Sequence, residues 1–492
     1  MKNLTKKERD FMKNVALHNL GCKVNSYEIE VMQEKLEKNG YKIVPFAEGA
    51  DIYIINTCTV TNIADRKSRQ MLHKAKKMNP DAIVVAVGCY VQTGTEDVKQ
   101  DECIDLAIGN NRKKDIVTIL EEFLSRKEAH REDKTLEETT VIDINDGKQE
   151  YEEMTLTKAG EHTRAHIKIQ DGCNQFCSYC IIPFARGRVR SRKEEDILSE
   201  VRGLVAAGYQ EIVVTGIHLS SYGLDFISKE TGDYLGSNTE NKEIVSEEGL
   251  SQKPKGDLRT LAYQKGYLID ILEKISRVEG LKRIRIGSLE PRIITEEFAR
   301  RLKNLDKLCP HFHLSLQSGC NETLKRMNRH YTAEEFREKV EILRNVFDNP
   351  AITTDVIVGF PGESEEEFQT TYEFLKEIKF YEMHIFKYSK RQGTVAAARK
   401  DQVDDRKKAE RSNLLLEMET EQSLEYRKQF VNTQVEVLVE EEKNIGGKKY
   451  QVGFTPAYVK VAIEAEENLK NQLVKGTASR LLENEYLFLS VQ

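Results

Sequence analysis

Three cysteines in one short segment have the spacing of ligands for a metal group. Cys173, Cys177 and Cys180 lie in CNQFCSYC as C-x3-C-x2-C. A structural zinc site needs four ligands in a closed tetrahedron, and no fourth Cys or His lies close by in the sequence. Three thiolates suit a [4Fe-4S] cluster whose fourth iron stays open for a small molecule. The spacing therefore favours an iron–sulfur cluster over zinc and over three unrelated cysteines.

Three further cysteines, Cys22, Cys58 and Cys89, each follow a predicted strand. Because parallel strands bring their carboxyl ends to one edge of a sheet, we expect these thiols to converge there. Gly21 and Gly88 permit tight turns beside a bulky ligand. The alternative is that all three are separate packing residues of the core, which is common for one cysteine but is not expected for three at equivalent strand ends. We interpret the set as ligands of a second [4Fe-4S] cluster with an open iron. The other cysteines are interpreted as packing residues: Cys103, Cys309 and Cys320.

The elements that must position the first set form a βαβαβ pattern within residues 1–125. Apolar runs predict three strands, and apolar residues at helical spacing predict two helices between them. This alternation is typical of a small parallel sheet with right-handed crossovers. Residues 126–160 are charged and weakly periodic, which predicts a linker with a short strand at 140–144. The predicted strands are 15–20, 51–55 and 82–87, and the predicted helices are 26–40 and 64–78.

Residues 161–425 are predicted to form a partial (β/α)6 barrel, with the second cysteine set on the loop after its first strand. In such barrels the chemistry takes place on the loops that follow the strands. A polar insertion at 226–266 is predicted to be disordered. Capping boxes predict three helix starts, at Ser191–Glu194, Thr332–Glu335 and Ser364–Glu367. The six predicted strands are 164–169, 211–215, 283–288, 311–316, 352–358 and 383–388.

Residues 426–492 change to a pattern of short strands, which predicts a small β-barrel. The fold class expected for the whole chain is therefore α/β: a small parallel sheet, a central partial barrel and a terminal β-barrel. We expect strands at 435–439, 452–454, 458–463 and 486–489.

Composition excludes several classes of protein. The 492 residues include 75 Lys and Arg against 81 Asp and Glu, so the chain is not basic throughout, although a local nucleic-acid site remains compatible. No stretch of about 20 apolar residues is present, which excludes an integral membrane protein. The Lys-rich start lacks the apolar core of a secretory signal. Nine cysteines without an export signal indicate a reducing compartment, so we expect a cytoplasmic protein.

Six motifs together resemble the methylthiotransferase family of radical SAM enzymes, over nearly the whole chain. They are LGCKVN, NTCTVT, VGC, CNQFCSYC, HLSLQSG and DVIVGFPGE. The last domain resembles the TRAM RNA-binding domain, most clearly in GFTPAYVKV. LGCKVN and NTCTVT look most like the branch that acts on N6-threonylcarbamoyladenosine in tRNA. The isopentenyladenosine branch usually has Gln-Met-Asn after that cysteine, and the ribosomal-protein branch usually has Pro-Lys-Asn.

The resemblance implies a transferase that adds a methylthio group to C2 of the modified adenosine at position 37 of tRNA, using two molecules of S-adenosylmethionine. One molecule donates a methyl group to a sulfur on the cluster of Cys22, Cys58 and Cys89. The other yields a 5′-deoxyadenosyl radical at the cluster of the C-x3-C-x2-C loop, and this radical removes hydrogen from C2. The cofactor carries the difficult chemistry, while the protein orients it. The resemblance also implies tRNA and an external electron donor as partners, with no membrane.

Residues at the strand ends of the barrel are candidates for contact with S-adenosylmethionine. By resemblance, Gly216 lies where the backbone approaches the amino group, although a strand-ending glycine is an equal alternative. Strand-end polar residues in barrels are often functional, which favours Gln317 in particular. Phe360 is as readily a core residue. The remaining candidates are Ser288, Glu290, Val358 and Gly359.

Two basic segments and the terminal domain are candidates for RNA binding. Arg186, Arg188, Arg190 and Arg192 alternate with other residues, which predicts an extended segment suited to phosphate contacts. A second basic run spans 66–77, where a solvated helix face explains the charges equally well. Residues 429–492 carry 7 Lys and Arg against 9 Asp and Glu, so RNA binding there would rest on aromatic residues and a few cations. The candidates in that domain are Tyr458 and Lys460.

Four alternative functions remain open on the sequence. Two within the same chemistry are methylthiolation of isopentenyladenosine in tRNA or of an aspartate in a ribosomal protein. A third is another radical SAM reaction with an auxiliary cluster, which would form 5′-deoxyadenosine without adding sulfur to RNA. In a different class, the chain would be a non-catalytic iron–sulfur protein that binds RNA. An enzyme of this kind loses formation of 5′-deoxyadenosine when Cys177 is replaced by Ala, whereas a binding protein forms none.

Overall fold

The chain folds into two compact units that are each built from separated segments. The computed structural model describes residues 13–129, 138–145, 149–157, 163–231 and 263–490. The first unit, called the cysteine unit below, comprises Met1–Lys158, Asp171–Arg192 and Ser389–Ala397. The second, the barrel unit, comprises Ala159–Gln170, Lys193–Tyr388 and Ala398–Gln492. The domain boundaries expected at residues 125, 160 and 425 stay a prediction.

A six-stranded parallel sheet forms the centre of the cysteine unit. Its strands are β1 (Asn14–Asn19), β2 (Lys42–Val44), β3 (Ile52–Thr57), β4 (Ile83–Gly88), β5 (Leu106–Ile108) and β6 (Glu138–Thr140). They lie in the order β2-β1-β3-β4-β5-β6. β3 and β4 are buried along their whole length because both faces of the sheet are covered, which explains their uninterrupted apolar runs. The predicted small parallel sheet is confirmed. The strands that the pattern missed have three residues each, too few to show a period. The strand expected at 140–144 is displaced, because β6 shares only Thr140 with that range.

The helices of the cysteine unit connect these strands. The two predicted helices are present with boundaries shifted by two or three residues. The helix that starts at Ile116 continues to Ala129, so the expected boundary at 125 falls inside it. The helices are Lys23–Lys38, Asn62–Met78, Cys89–Thr93, Thr95–Lys99, Ile116–Ala129 and Ile182–Arg186, with a 3-10 turn at Lys113–Asp115 and a short helix at Val395–Ala398 that ends one residue beyond the unit.

The barrel unit contains the six predicted barrel strands, which confirms the partial barrel. They are β7 (Arg164–Asp171), β9 (Glu211–Gly216), β10 (Arg283–Ile286), β11 (His311–His313), β12 (Ala351–Val358) and β13 (Glu382–Lys387); β8 (Arg190–Ser191) belongs to the cysteine unit. β7, β9 and β10 pair in parallel, as do β11, β12 and β13. Single bridges at Ile284–Leu308 and Leu289–Leu314 connect the two halves.

Helices surround the strands of the partial barrel. The capping boxes predicted at Thr332–Glu335 and Ser364–Glu367 are confirmed. The one predicted at Ser191–Glu194 is wrong, because Ser191 lies in β8 and Lys193 is the N-cap, without a side-chain bond. The helices are Glu194–Ala206, Leu224–Thr231, Tyr267–Ser276, Glu296–Lys303, Asn321–Arg326, Ala333–Val346, Glu365–Ile378 and Asp405–Lys428, with 3-10 turns at Leu219–Ser221 and Pro291–Ile293.

A closed five-stranded β-barrel ends the chain, as predicted. Its strands are β14 (Gln434–Ile445), β15 (Lys448–Phe454), β16 (Lys460–Ile463), β17 (Leu473–Leu482) and β18 (Tyr486–Ser490), in the order β14-β15-β16-β18-β17. The sequence missed β17 because its exposed residues are polar and break the apolar alternation. The core of this barrel continues into Tyr381 and Tyr426 of the partial barrel.

Two expectations concern segments with few described residues or none. Of the insertion expected at 226–266, residues 232–262 lie outside the described residues, and Leu224–Thr231 is helical. Within the described ranges, every helix is too short or too polar to cross a membrane.

Candidate functional site

The first cysteine set lies at the carboxyl edge of the parallel sheet. Cys22 follows β1, Cys58 follows β3 and Cys89 follows β4. Since these three strands are neighbours in the sheet, the structure brings the three residues to one edge. Gly21 has a φ of +108°, and a Cβ added there would lie 3.0 Å from Cys58 Sγ. The chain after β1 and the chain after β3 therefore approach each other too closely for a residue with a side chain at position 21.

Desolvation raises the pKa of two thiols of this set. Burial raises the pKa of Cys58 to about 11. Desolvation also raises the pKa of Cys22, although that residue as a whole is exposed. The nearby Arg186 opposes both shifts. Because a metal ligand must be a thiolate, loading of this set would release protons.

The second cysteine set lies on a tight loop that follows β7. The backbone N–H of Cys180 donates to the carbonyl of Cys177 at 3.0 Å, which closes a turn between them. Gly172 has a φ of +71°, and a Cβ there would lie only 1.9 Å from the carbonyl oxygen of Arg188. This close approach fixes where the loop starts, just before the buried Cys173.

Both sets fit iron–sulfur clusters by the chemistry of their donors. Each set offers three sulfur ligands, one fewer than a closed tetrahedral zinc site requires. Three thiolates leave one iron of a [4Fe-4S] cluster open for an exchangeable ligand. All six cysteines belong to the cysteine unit.

A fully buried arginine connects the two cysteine sets. The guanidinium of Arg186 donates to Cys89 Sγ at 3.3 Å and to Asn25 Oδ1 at 2.5 Å. It forms an ion pair with Glu28 at 2.6 Å and another with Asp171 at 3.3 Å. Asp171 is the last residue of β7, two positions before the cysteine loop. One side chain therefore links a ligand of the first set to the base of the second.

Sequence reasoning missed the partners of this arginine. Glu28 is buried and also binds Lys113 Nζ at 2.5 Å. Asn110 Nδ2 donates to Cys89 Sγ at 3.4 Å. A signal for Glu28 was available, because this acid lies beside Tyr27 on the apolar face of its helix. An acid on an apolar face indicates a buried partner of opposite charge.

The arginine segment differs from its prediction as a phosphate-binding strip. Arg186, Arg190 and Arg192 are each at most 4% exposed. Arg192 bonds to Glu153 at 3.2 Å within the same unit. These three side chains are buried because they hold the loop and its neighbours together, so the expectation of contact with RNA is wrong for them. Arg188 is half-buried against Phe176, 4.3 Å from the ring centre, and its predicted contact with RNA stays a prediction.

A distant segment, residues 389–397, reinforces the first cysteine set. Arg391 donates to Thr59 Oγ1 at 2.7 Å and forms an ion pair with Asp65 at 2.6 Å. The backbone N–H of Asn62 donates to Ser389 Oγ at 3.0 Å. These contacts hold the chain just after Cys58. Local sequence patterns could not show them, because the partners are more than 300 residues apart.

The residues predicted to contact S-adenosylmethionine lie at or near strand ends of the barrel unit. Gly216 ends β9, and a Cβ there would lie 2.9 Å from Gln170 Oε1. Gln170 also accepts from the backbone N–H of His218 at 2.7 Å. Gln317 has a left-handed φ of +72° and bonds to the backbone of Asp355. These positions match the expectation, while their contact with the cofactor stays a prediction.

Most of the other residues predicted to contact S-adenosylmethionine have partners within the protein. Glu290 is buried and its carboxylate forms an ion pair with Arg292 Nε at 2.7 Å. The same carboxylate accepts from the backbone N–H of Arg292 at 3.2 Å, and this bond caps the turn Pro291–Ile293. Ser288 is exposed. Gly359 follows the end of β12 at Val358, and its N–H donates to Glu363 at 2.6 Å. Phe360 is fully buried against Tyr388, which favours the core alternative for this residue.

The two residues of the terminal barrel that are predicted to contact RNA both have partners within the protein. Tyr458 stacks on His311 of the partial barrel with ring centres 4.8 Å apart, and Arg285 lies 4.7 Å from its ring centre. The ring of Tyr458 is therefore used in packing while the residue stays half-buried, and its predicted stacking on RNA bases stays a prediction. Lys460 is ion-paired with Glu485 and partly exposed, so its RNA contact stays a prediction.

Three titratable side chains lie together on adjacent barrel strands, and sequence spacing did not show this grouping. His313, Asp355 and His384 have ligand atoms within 4.8 Å of one another. His313 Nδ1 lies 3.0 Å from Thr353 Oγ1. Asp355 connects this group to Gln317 through the backbone.

Two family models match the chain, and each matched range contains one of the two cysteine sets. Residues 167–375 match the family described as the Radical SAM superfamily. Residues 14–109 match the Uncharacterized protein family UPF0004. Among solved structures, the radical S-adenosylmethionine methyltransferase TsrM from Kitasatospora setae superposes with a TM-score of 0.50 at 14% identity, covering 79% of this chain and 77% of that one. This likeness concerns the fold alone.

Curated relatives cover almost the whole chain. The threonylcarbamoyladenosine tRNA methylthiotransferase MtaB of Bacillus subtilis (strain 168) is 38% identical over 94% of this chain and 93% of its own length. The protein of the same name from Aquifex aeolicus is 37% identical over 89% and 95%. A tRNA-2-methylthio-N(6)-dimethylallyladenosine synthase from Thermoanaerobacter sp. (strain X514) is 34% identical over 88% and 86%. With its cysteine sets and partial barrel, the chain belongs to the methylthiotransferase family of radical SAM enzymes.

Proposed function

We propose that this chain adds a methylthio group to C2 of N6-threonylcarbamoyladenosine at position 37 of tRNA. The observation that carries the proposal is the presence of two three-cysteine sets in one unit, joined by Arg186. The substrate follows the name of a relative that is 38% identical over 94% of the chain. The LGCKVN motif around Cys22 supports the same branch.

The residues have separate roles in this proposal. Cys173, Cys177 and Cys180 hold one [4Fe-4S] cluster, and the strand-end cysteines hold a second one. When bound, the clusters and S-adenosylmethionine supply the radical that attacks an unactivated C–H bond and the sulfur and methyl group that are transferred. Arg186 keeps Cys89 in position and holds the cysteine loop through Asp171. Gln317 and the backbone at Gly216 orient S-adenosylmethionine.

The proposal includes two partners and a location. The substrate is tRNA, and an external electron donor reduces the clusters. We place the reaction in the cytoplasm because the substrate is tRNA and nine cysteines suit a reducing compartment.

The test uses the anaerobically reconstituted protein with S-adenosylmethionine and a chemical reductant. Two tRNAs are supplied in parallel, one with N6-threonylcarbamoyladenosine and one with isopentenyladenosine. Mass spectrometry of the digested RNA then reports the methylthio derivative. Product on the first tRNA alone is expected. Product on the second alone would assign the chain to the other tRNA branch, and 5′-deoxyadenosine without product on either would make the substrate wrong.

Three cysteine variants separate the roles of the two sets. Cys177→Ala is expected to abolish both 5′-deoxyadenosine and methylthio product. Cys58→Ala is expected to abolish the product while 5′-deoxyadenosine still forms. Cys103→Ala is the control, since this cysteine belongs to neither set. Equal loss in all three would contradict the assignment, and intact 5′-deoxyadenosine formation in Cys177→Ala would overturn it.

A further inference from the structure

The helix Asn62–Met78 starts directly after the first cysteine set and carries a row of cations. Ser68, on its buried side, bonds to the backbone of Cys58 through its hydroxyl, at 3.0 and 3.2 Å. The helix is therefore fixed to the site by its first two turns. We call four of its exposed side chains the basic face: Arg66, Lys67, Lys74 and Lys77.

These four residues lie on one side of the helix. At 3.6 residues per turn they fall within an arc of about 100°. Ser68, Leu72 and Ala75 are buried on the opposite side, against the sheet. Arg66 and Lys77 are about 16 Å apart along the axis at 1.5 Å per residue. The basic face is thus a continuous strip that leads away from the cysteine site.

The charges of the basic face are not compensated within the protein. In the part of the chain that the structure describes, none of the four has an acidic group within 4.0 Å. The acid of this helix, Asp65, is ion-paired with Arg391. Two flanking residues of the same helix do have acidic partners, His73 with Asp101 and Lys76 with Asp105.

The terminal barrel shows the opposite arrangement. Of the six Lys and Arg side chains on its strands, four lysines form ion pairs with acids, Lys443 donates to a tyrosine hydroxyl, and Arg480 lies over the ring of Phe488. An exposed ion pair presents little net field to a partner, whereas an uncompensated cation can bind a phosphate and release its counterion. The five lysines and their partners are Lys443 with Tyr486, Lys448 with Glu464, Lys449 with Glu442, Lys460 with Glu485 and Lys475 with Glu436.

We propose that the basic face binds backbone phosphates of the tRNA and thereby positions it at the first cysteine set. The inference rests on the proposed function for the identity of the partner. In this inference the main electrostatic contact with RNA is made by this helix, and not by the terminal barrel or by the arginine segment at 186–192. Phosphate contacts fix the position of an RNA without reading its sequence, so the basic face supplies affinity and the site supplies the choice of base.

The test compares two variants with the same change in charge. In one, the basic face is removed by Arg66→Gln, Lys67→Gln, Lys74→Gln and Lys77→Gln. In the control, four lysines of the terminal barrel are replaced by Lys443→Gln, Lys448→Gln, Lys449→Gln and Lys475→Gln. Affinity for tRNA is measured by fluorescence anisotropy at several salt concentrations in the reconstituted protein. All eight side chains are exposed, and circular dichroism and iron content verify that both variants fold and load.

Loss of the basic face is expected to weaken tRNA binding at least about tenfold near 0.1 M salt. It should also reduce the slope of log K against log salt concentration by roughly 3, since each phosphate contact contributes about 0.7–0.9. The control should change the affinity less than about twofold. Equal losses in both variants, or a loss in the control alone, would overturn the inference.

Two further outcomes keep this inference separate from the proposed function. Binding does not require turnover, so a clear loss of affinity supports the basic face even if no methylthio product forms. If tRNA affinity is unchanged but reduction of the clusters by an acidic redox protein slows, the partner of this face is that protein and the RNA inference fails.

Discussion

The guanidinium of Arg186 contacts four side chains of the cysteine unit: Cys89, Asn25, Glu28 and Asp171. Burial opposes its charge, but Cys89, Glu28 and Asp171 raise the pKa of Arg186 above its ordinary value. The cation is therefore permanent in a volume that water does not reach. A buried ion pair of this kind stabilises the fold only while both signs are present.

Replacement Arg186→Met keeps most of the volume of the side chain and removes its charge. Asp171 then loses its shorter ion pair and retains Arg190 at 3.8 Å. We expect the free energy of unfolding to fall by about 1.5–3 kcal/mol, the range for hydrogen bonds to charged groups, because Glu28 and Asp171 lose one cation but keep Lys113 and Arg190. Urea unfolding followed by circular dichroism measures it. Arg126→Met, at a residue with 48% of its side chain exposed, is the control and should cost less than about 0.5 kcal/mol. Similar values for both variants would contradict the role of Arg186.

At the scale of residues, sequence identified the ligands better than their surroundings. The six cysteines were found because spacing and strand ends are local features. Arg186 was mistaken for a surface residue because its neighbours alternate as in an exposed strand. Its partner Glu28 is 158 residues away, and only the folded chain brings them together.

Helix starts are the elements in which local chemistry predicted the structure best. Thr332 Oγ1 accepts from the backbone N–H of Glu335 at 3.2 Å, and the Glu335 carboxylate accepts from the backbone N–H of Thr332 at 2.8 Å. Both partners lie within four residues, so the motif needs no tertiary context. The same Ser/Thr-x-x-Glu pattern at Ser191–Glu194 predicted a capping box wrongly, because Ser191 lies in a strand.

The substitution Thr332→Ala removes one half of this capping box. We expect a loss of about 1 kcal/mol in the free energy of unfolding, since an N–H at the helix start is left without a partner. Thr332→Ser keeps the hydroxyl and should be close to wild type. Thermal unfolding of the three proteins in parallel gives the comparison, and an equal shift in both variants would show that the methyl group and not the cap matters.

Strand pairing in the partial barrel depends on a buried acid between β9 and β10. Glu211 accepts from Arg285 Nε at 2.8 Å and lies 3.8 Å from Arg283. Burial alone would raise its pKa, but the surrounding arginines outweigh burial and hold the pKa of Glu211 below the ordinary value of 4.5. A carboxylate of this kind stabilises the fold above its ordinary pKa, and that contribution is lost as pH falls through its lower folded value.

The lowered pKa of Glu211 predicts how the stability of Glu211→Gln depends on pH. Near neutral pH the variant should unfold at clearly lower urea concentration than wild type. As pH falls below 4.5, the unfolded wild-type protein takes up a proton at this carboxyl before the folded protein does, so the gap between the two midpoints should narrow and should close only below the lower folded pKa. Midpoints measured at pH 7, 5 and 4 test this expectation. Glu436→Gln, at a side chain that is 32% exposed, should show a small gap at each pH. A gap for Glu211→Gln that stayed constant would argue against the ion pairs as its cause.

At the scale of the whole molecule, the architecture could be predicted but the use of its surfaces could not. Apolar periodicity showed the parallel sheet, the six barrel strands and the terminal barrel. The period of apolar residues and the spacing of motifs do not show which aromatic residues pack against another element. For this reason the sequence analysis predicted that Tyr458 contacts RNA. In the structure it packs between the terminal barrel and the partial barrel, beside Phe454 with ring centres 4.7 Å apart.

Tyr458→Ala separates packing from RNA binding. Removal of the ring should lower the free energy of unfolding by roughly 2–3 kcal/mol, because a half-buried aromatic loses its contacts. The affinity for tRNA should change less than about twofold. Tyr458→Phe retains the stacked ring and should be near wild type in both measurements. A variant that unfolds normally but binds tRNA much more weakly would instead support the predicted contact with RNA.

The cysteine unit is assembled from segments that the ribosome makes at very different times. Asp65 emerges 326 residues before its partner Arg391. At about 5–20 residues per second, roughly 16–65 seconds of synthesis separate them. During that interval the nascent chain carries its three strand-end thiols without the late segment that secures them. Iron delivered to this protein in the cell therefore meets a finished site only after most of the polypeptide has been made.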